Sequence, residues 1–327
     1  MLTPTTGNAG QISASSAPVS VVIPTVGRPT LAAAVESALA QTPRPVEVLI
    51  VVDGTESPLL PPRLADSPRV RVMQTGRRAG PNVARMLGVR HARGTIVAFL
   101  DDDDEWLPGK LTAQLDIYQE VSIKRRYPVI TCRALVIDPD GNLRGVRPQE
   151  LYRPPWDLAD YLFHRRNIRG LGFAMGFPSL LCGRDLLDIV PLNESLDLHE
   201  DWEWLLRASR RDDCEIRMVA TPLIRVHRSL PFTSASRSAG GSRRSMLVAA
   251  QWPLPDDLYG DFLLGISASM ALDCGEWRAA LSVAREAHRR GQPSIRSWLW
   301  FGLRLLIPAK FLRWVSRTLE YNKDPER

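Results

Sequence analysis

Four aspartates stand side by side in FLDDDDEW, Phe99 to Trp106, straight after the apolar run TIVAFL. Neighbouring carboxylates repel one another, so the cluster is either a solvated turn or the seat of something strongly positive. In an extended chain residues i and i+2 point the same way, which lets Asp101 and Asp103 flank one ion. Mg²⁺ and Mn²⁺ prefer carboxylate oxygens and commonly share them with substrate phosphates. A cation held there would neutralise a departing nucleotide diphosphate. A second acidic pair, Glu200-Asp201 in LHEDWEW, opens a segment with arginines at its far end. Taken alone, such acids serve a helix N-terminus, worth about 0.3–1 kcal/mol.

Both groups need a scaffold. VSVVIPT (Val19 to Thr25), VEVLIVVDG, VRVMQT (Val70 to Thr75) and TIVAFL are apolar runs of strand length. PTLAAAVESALAQ, PNVARMLGVRHARG and LPGKLTAQLDIYQE, which alternate with them, carry helical spacing. Apolar strands separated by helices imply a parallel sheet covered on both faces. Ligands of such sheets bind beyond the carboxyl ends of the strands, where Asp53 and Asp101 fall. The second half is less regular. VITCRALVID predicts a strand, PSLLCGRDLLDIV a strand passing into a helix, HEDWEWLLRASRR a helix, and EIRMVA and LIRVHR two short strands. LYRPPWDLADYLFHRRNIRGLGFAMG, rich in aromatics, Arg and Gly, suits a lid or substrate wall better than a core element. Arg165, Arg166 and Arg169 with Phe163 and Phe173 would form that acceptor wall. SRSAGGSRRS, Ser236 to Ser245, reads as a flexible basic connector, with helices from about Leu258 onward.

The composition sets outer limits. The chain has 327 residues, 44% hydrophobic and 24% charged, enough for one large domain and a small appendage. Its net charge of +6 gathers in the connector and the C-terminal helices without a nucleic-acid recognition motif, so no nucleic-acid partner is expected. Cys132, Cys182, Cys214 and Cys274 form no C-x-x-C pair, which fits a reducing cytoplasm rather than a disulfide framework. Residues 1–17, small and polar, read as a disordered tail and not a signal peptide. No stretch offers about 20 uninterrupted apolar residues, so no membrane-spanning helix is predicted. SIRSWLWFGLRLLIPAKFLRWVSRTLE interleaves Trp298, Trp300, Phe301, Phe311 and Trp314 with Arg296, Arg304, Lys310, Arg313 and Arg317. That pattern suits the interface of an anionic membrane, and equally a helix packed on the rest of the protein; Pro308 would kink either.

In order and spacing, VSVVIPTVGRP, EVLIVVDGT, GPNVARMLGVRHARGTIVAFLDDDDEWLPGKL and HEDWEWLLR resemble family 2 glycosyltransferases of the GT-A fold. The resemblance covers roughly Val19 to Arg228. It implies an α/β fold, a Rossmann-like, mostly parallel sheet flanked by helices, here with a C-terminal helical extension. The expected layout is a tail to residue 17, a GT-A domain over 18–235, a linker over 236–257 and a membrane-associating helical region over 258–327. The implied reaction is inverting transfer of a sugar from a nucleotide-diphosphate donor, a UDP-sugar foremost, with Mn²⁺ or Mg²⁺. The acceptor would be a hydroxyl of a glycan or lipid-linked molecule in cell-surface polysaccharide or glycolipid synthesis, on the inner face of the cell membrane.

Carried over by position, Asp101-Asp102-Asp103 is the D-x-D element. Asp103 would bind the metal directly, and Asp101 the metal or the donor ribose, with Asp102 beside them. Pro24, Thr25 and Arg28 would line the nucleotide pocket, Asp53 would face the base, and Arg85 would lie near it. His227 falls where many members have a histidine near the metal. An inverting transfer also needs a carboxylate to take the acceptor proton; Glu200-Asp201 matches the family's Glu-Asp pair, with Asp201 the base. Trp202 and Trp204 would pack the helix or stack on a sugar. The sequence departs from the pattern at Val52, where an aspartate is usual, at Thr55 in place of serine, and at Met86 in place of asparagine. The Q-x-x-R-W signature of processive synthases is absent, which implies one sugar per encounter. The competing expectation is a silent, glycosyltransferase-like nucleotide- or glycan-binding module or membrane scaffold; intact carboxylates argue against it.

Overall fold

The computed structural model describes residues 18–164, 175–227 and 240–306. The strands are β1 (Val19–Thr25), β2 (Glu47–Val52), β3 (Val70–Gln74), β4 (Ile96–Phe99), β5 (Glu105–Trp106), β6 (Tyr127–Ile137), β7 (Leu143–Arg147), β8 (Leu181–Gly183) and β9 (Cys214–His227). The helices are α1 (Leu31–Leu39), α2 (Pro62–Ala65), α3 (Pro81–His91), α4 (Lys110–Ser122), α5 (Leu158–Phe163), α6 (Arg184–Ile189), α7 (Glu200–Ser209), α8 (Gly241–Ala249), α9 (Asp256–Phe262), α10 (Ala268–Asp273), α11 (Trp277–Arg290) and α12 (Ile295–Leu306).

One sheet in the order β3-β2-β1-β4-β8-β6-β9-β5 runs through the molecule, with β7 added on β6. The first four strands are parallel, and β1, β2 and β4 are buried throughout. Beyond β4 the sheet becomes mixed: β8 is antiparallel to β4 and β6, while β6 and β9 form a long parallel pair. The chain leaves β1 for β2 on one side and returns to β4 on the other. That reversal opens a crevice at the carboxyl ends of β1 and β4, where the aspartates begin.

Alternate side chains feed two cores. Val21, Ile23, Val48 and Ile50 pack with α1 and α4 on one face; Val22, Leu49, Val51 and Phe99 pack with α3 and α7 on the other. Gly88 lets α3 lie directly on the sheet, since a Cβ there would come within 2.5 Å of Val22 Cγ1.

The second half corrects two expectations and realises the packed alternative for the C-terminal helices. From residue 240 the connector is ordered: α8 spans Gly241–Ala249, and its buried small residues Gly241, Ser242, Ser245 and Ala249 let it nest closely. The aromatic stretch after β7 is partly core, with Tyr152, Leu158, Leu162 and Phe163 buried. Phe163 in particular meets Trp202, Trp252 and Phe262 instead of forming an acceptor wall. The C-terminal helices share the same core as α3 and α7, through Leu263, Val283, Ala284 and Phe301. α12 packs by Ser297 and Phe301 and leaves Ile295, Leu299 and Leu306 outward, 79%, 61% and 84% exposed. The tail 1–17, Arg165, Arg166, Arg169, Phe173, residues 236–239 and the segment from Ile307 with Pro308, Lys310, Phe311, Arg313, Trp314 and Arg317 lie outside the described residues.

Candidate active site

The four aspartates form a turn, closed by Asp104 N donating to Asp101 O at 3.2 Å, rather than the extended chain expected. Asp102 and Asp104 are buried, while the side chains of Asp101 and Asp103 keep 32% and 28% of their surface open. Asp102 accepts from Thr25 Oγ1 at 2.5 Å and is paired with Arg28. It therefore ties the end of β1 to the turn after β4, with a partner within the protein on each of its oxygens. Thr25 Oγ1 also accepts from Gly27 N at 2.8 Å, so Thr25 shapes the loop. Arg28, 42% exposed, lies 3.6 Å from Asp103. Burial together with Asp101 and Asp102 pushes the Asp103 carboxyl up to about 6, against the pull of Arg28. Asp104 is raised well above the carboxylate range, first by burial and then by Asp101 and Asp103.

Arg85, projecting from α3, joins the two acidic groups. It pairs with Asp101 at 2.9 Å and with Glu200 at 3.2 Å, and lies 4.1 Å from the centre of the Phe177 ring. Burial works against its charge, yet Asp101 and Glu200 outweigh that and hold the guanidinium above its ordinary pKa. Its Nε, buried, has no hydrogen-bond partner. Sequence reasoning set Arg85 beside the nucleoside; in the fold it is the bridge between the D-x-D turn and the Glu-Asp pair.

Asp201 Oδ1 accepts from Trp202 N at 2.8 Å. Burial and the neighbouring Glu200 push its carboxyl up to about 7, partly offset by Arg85. A carboxylate with that value suits a general base near neutral pH. Trp204 is wholly buried and donates Nε1 to Val190 O at 2.7 Å, so it is a packing residue.

Two expected residues stand differently. Asp53, at the end of β2, spends its carboxylate on the loop after β3, accepting from Ala79 N at 2.6 Å and Gly80 N at 3.1 Å. His227, ending β9, donates its backbone N–H to Asp104 at 3.0 Å, and its Nε2 lies 3.0 Å from Glu105. It joins the cluster through Asp104 and Glu105, not through Asp103. Pro24 sits inside β1 opposite Val51. Sequence reasoning passed over His199 and Gly176, which flank Asp201; the histidine directly before Glu200-Asp201 was the available signal.

The donor set is compatible with a hard divalent cation. Asp101 and Asp103 offer carboxylate oxygens on the open side, beside Arg85 and Arg28 respectively. Among the described residues no three His, Cys, Asp or Glu side chains close a metal site by themselves, so phosphate and water oxygens would complete the shell.

The chain is also similar to known proteins. Residues 20–155 match the family model for Glycosyl transferase family 2. Over those residues the chain is similar to family 2 glycosyltransferases. It is 40% identical over 89 residues to the succinoglycan biosynthesis protein ExoO of Rhizobium meliloti, which covers 27% of this chain and 25% of that protein. It is 26% identical over 204 residues to the amylovoran biosynthesis glycosyltransferase AmsB of Erwinia amylovora, covering 62% and 65%. The chain spans about a quarter or less of the length of several curated relatives it matches. Among solved structures, S. aureus TarS 1-349 in complex with UDP aligns with a TM-score of 0.45 at 14% identity, over 83% of this chain and 89% of that one.

Proposed function

We propose that this protein is an inverting, non-processive glycosyltransferase that moves one sugar from a UDP-sugar to a hydroxyl of a glycan or lipid-linked acceptor. The observation that carries this reading is Arg85, which brings Asp101 and Glu200 to the two ends of one guanidinium. The donor-side turn and the base-bearing helix then border a single crevice at the β1/β4 reversal. Relatives named for succinoglycan and amylovoran biosynthesis support a place in cell-surface polysaccharide synthesis.

In this mechanism Asp103 and Asp101 would hold Mn²⁺ or Mg²⁺, which when bound would neutralise the leaving diphosphate. Arg28, partly exposed beside Asp103, adds positive charge at the same place. Asp201 takes the proton of the acceptor hydroxyl as its oxygen attacks the anomeric carbon from the face opposite the diphosphate. The new C–O bond forms while the sugar–diphosphate bond breaks, the configuration inverts, and the nucleoside diphosphate leaves. Glu200, paired with Arg85, keeps the neighbouring negative charge balanced. The outward row Ile295, Leu299 and Leu306 of α12 rests on the inner face of an anionic membrane. No helix among the described residues is long and apolar enough to cross one.

The test is a panel of UDP-, GDP- and dTDP-sugars with Mn²⁺, read by thermal shift and by nucleoside diphosphate release. One donor should stabilise and turn over, and Asp103→Asn and Asp201→Asn should each abolish release while remaining folded. Full activity in both variants would sink the reading. Flotation with phosphatidylglycerol vesicles tests the α12 face: binding equal to that of Leu299→Glu refutes it.

A further inference from the structure

We propose that the C-terminal helices position the base: His199, Ser245 and Ser267 form a buried hydrogen-bonded relay from that bundle to the start of α7, and this relay aims the Asp201 carboxylate. The inference rests on Asp201 being the base.

His199 immediately precedes α7 and has φ of 57°. Non-glycine residues seldom occupy this left-handed region, and they persist where surrounding structure holds them. Among the described residues one other non-glycine residue has positive φ, Met175 at 60°. It precedes Gly176, where an added Cβ would lie 3.5 Å from Asp201 Oδ2. Both unusual backbone positions therefore flank the same carboxylate.

What holds His199 comes from the far end of the chain. Its Nε2 lies 2.8 Å from Ser245 Oγ on α8. Ser245 Oγ lies 2.7 Å from Ser267 Oγ, at the end of the π-helical turn Leu263–Ser267. Both serines are fully buried and His199 is 9% exposed. Burial alone depresses the imidazole to about 3, so the ring is neutral and keeps one donor and one acceptor nitrogen. The ring stacks on Trp202 with centroids 5.0 Å apart and planes 7° apart, and its face meets Phe262 edge-on at 5.3 Å. Trp202 N is the group that donates to Asp201 Oδ1. The contacts thus run unbroken from Ser267 through Ser245, His199 and Trp202 to Asp201. Catalytic geometry is sensitive to sub-ångström placement, so a loosened relay lowers turnover without weakening donor binding.

The experiment compares wild type, Ser245→Ala, Ser245→Thr and Ser267→Ala in nucleoside diphosphate release from the donor found in the panel above, with Mn²⁺, over pH 5.5–8.5. Ser245→Ala should lower kcat by about tenfold, leave donor KM within about twofold, and move the acid limb of the pH profile. Ser245→Thr, which keeps the hydroxyl, should restore the rate. Unchanged kcat and pH profile in folded Ser245→Ala overturn the proposal, as does an equal loss in kcat and donor affinity. If Ser245→Ala does not fold, Ser267→Ala decides, because it removes only the outer member; wild-type kcat there overturns the relay. A wild type inactive on every donor overturns the function itself, an outcome distinct from active wild type with indifferent variants.

Discussion

Acidification should cost this protein stability through His199, and the size follows from its burial. The unfolded chain takes up a proton near pH 6.5, whereas the folded ring resists protonation down to about 3. Between those values every unit of pH favours the unfolded state by about 1.4 kcal/mol. From pH 7 to pH 5 the loss is about 2 kcal/mol. Asp103 and Asp201 act in the opposite sense, because their folded values, about 6 and about 7, lie above the unfolded ones. They take up protons first in the folded state, so their contribution rises as pH falls. Wild type alone therefore shows only the sum, and a variant is needed. His199→Asn is suitable, since asparagine tolerates the left-handed backbone at φ 57°. Urea unfolding of both proteins at pH 7 and pH 5 gives four free energies. The drop on acidification should be about 2 kcal/mol larger in wild type than in His199→Asn. Equal drops would refute the idea that this imidazole is buried neutral.

Other outcomes follow from the site and the sheet. Nucleoside diphosphate release should fall about tenfold between pH 8 and pH 6, tracking ionisation of Asp201 near 7; a flat profile excludes it as base. Asp201→Asn should lose about 10²–10⁴ in kcat while still binding donor, measured by isothermal titration. Arg85→Met should destabilise by about 3–5 kcal/mol in urea, because Asp101 and Glu200 lose a shared buried cation. Gly88→Ala should cost about 1–3 kcal/mol in the same assay through its clash with Val22.

The parallel half was legible because its strands are apolar on both faces and Pro and Gly punctuate them. The aspartate cluster was legible by its place after an apolar strand, but its alternation in burial comes from a turn closed by Asp104 N and Asp101 O, not from a strand period. The roles of individual acids were less so. Asp53 ends a strand as expected, but the partners it chose, Ala79 N and Gly80 N, lie in a loop whose path no local pattern fixes. Arg85 looked like a pocket residue because its two carboxylates sit 16 and 115 residues away. The connector misled for a compositional reason: Gly and Ser signal freedom in isolation, yet in α8 they are what fits beneath neighbouring helices. Lys110 gave no sequence sign of its burial, where Gln114 at 2.7 Å and the Trp106 ring at 3.9 Å receive its ammonium.

The core shared by α7 and the C-terminal helices bears on how the enzyme is made. A growing chain completes the β1–β4 crevice and its aspartates early, but Ser245 follows His199 by 46 residues. A ribosome-bound chain arrested before α8 thus carries the crevice beside an α7 whose leading His199 lacks Ser245 and Ser267. Limited proteolysis of such arrested chains should cut within α7 and spare β1 to β4. The contacts that hold His199 in its left-handed conformation thus form only after the crevice-bearing half of the chain has been made.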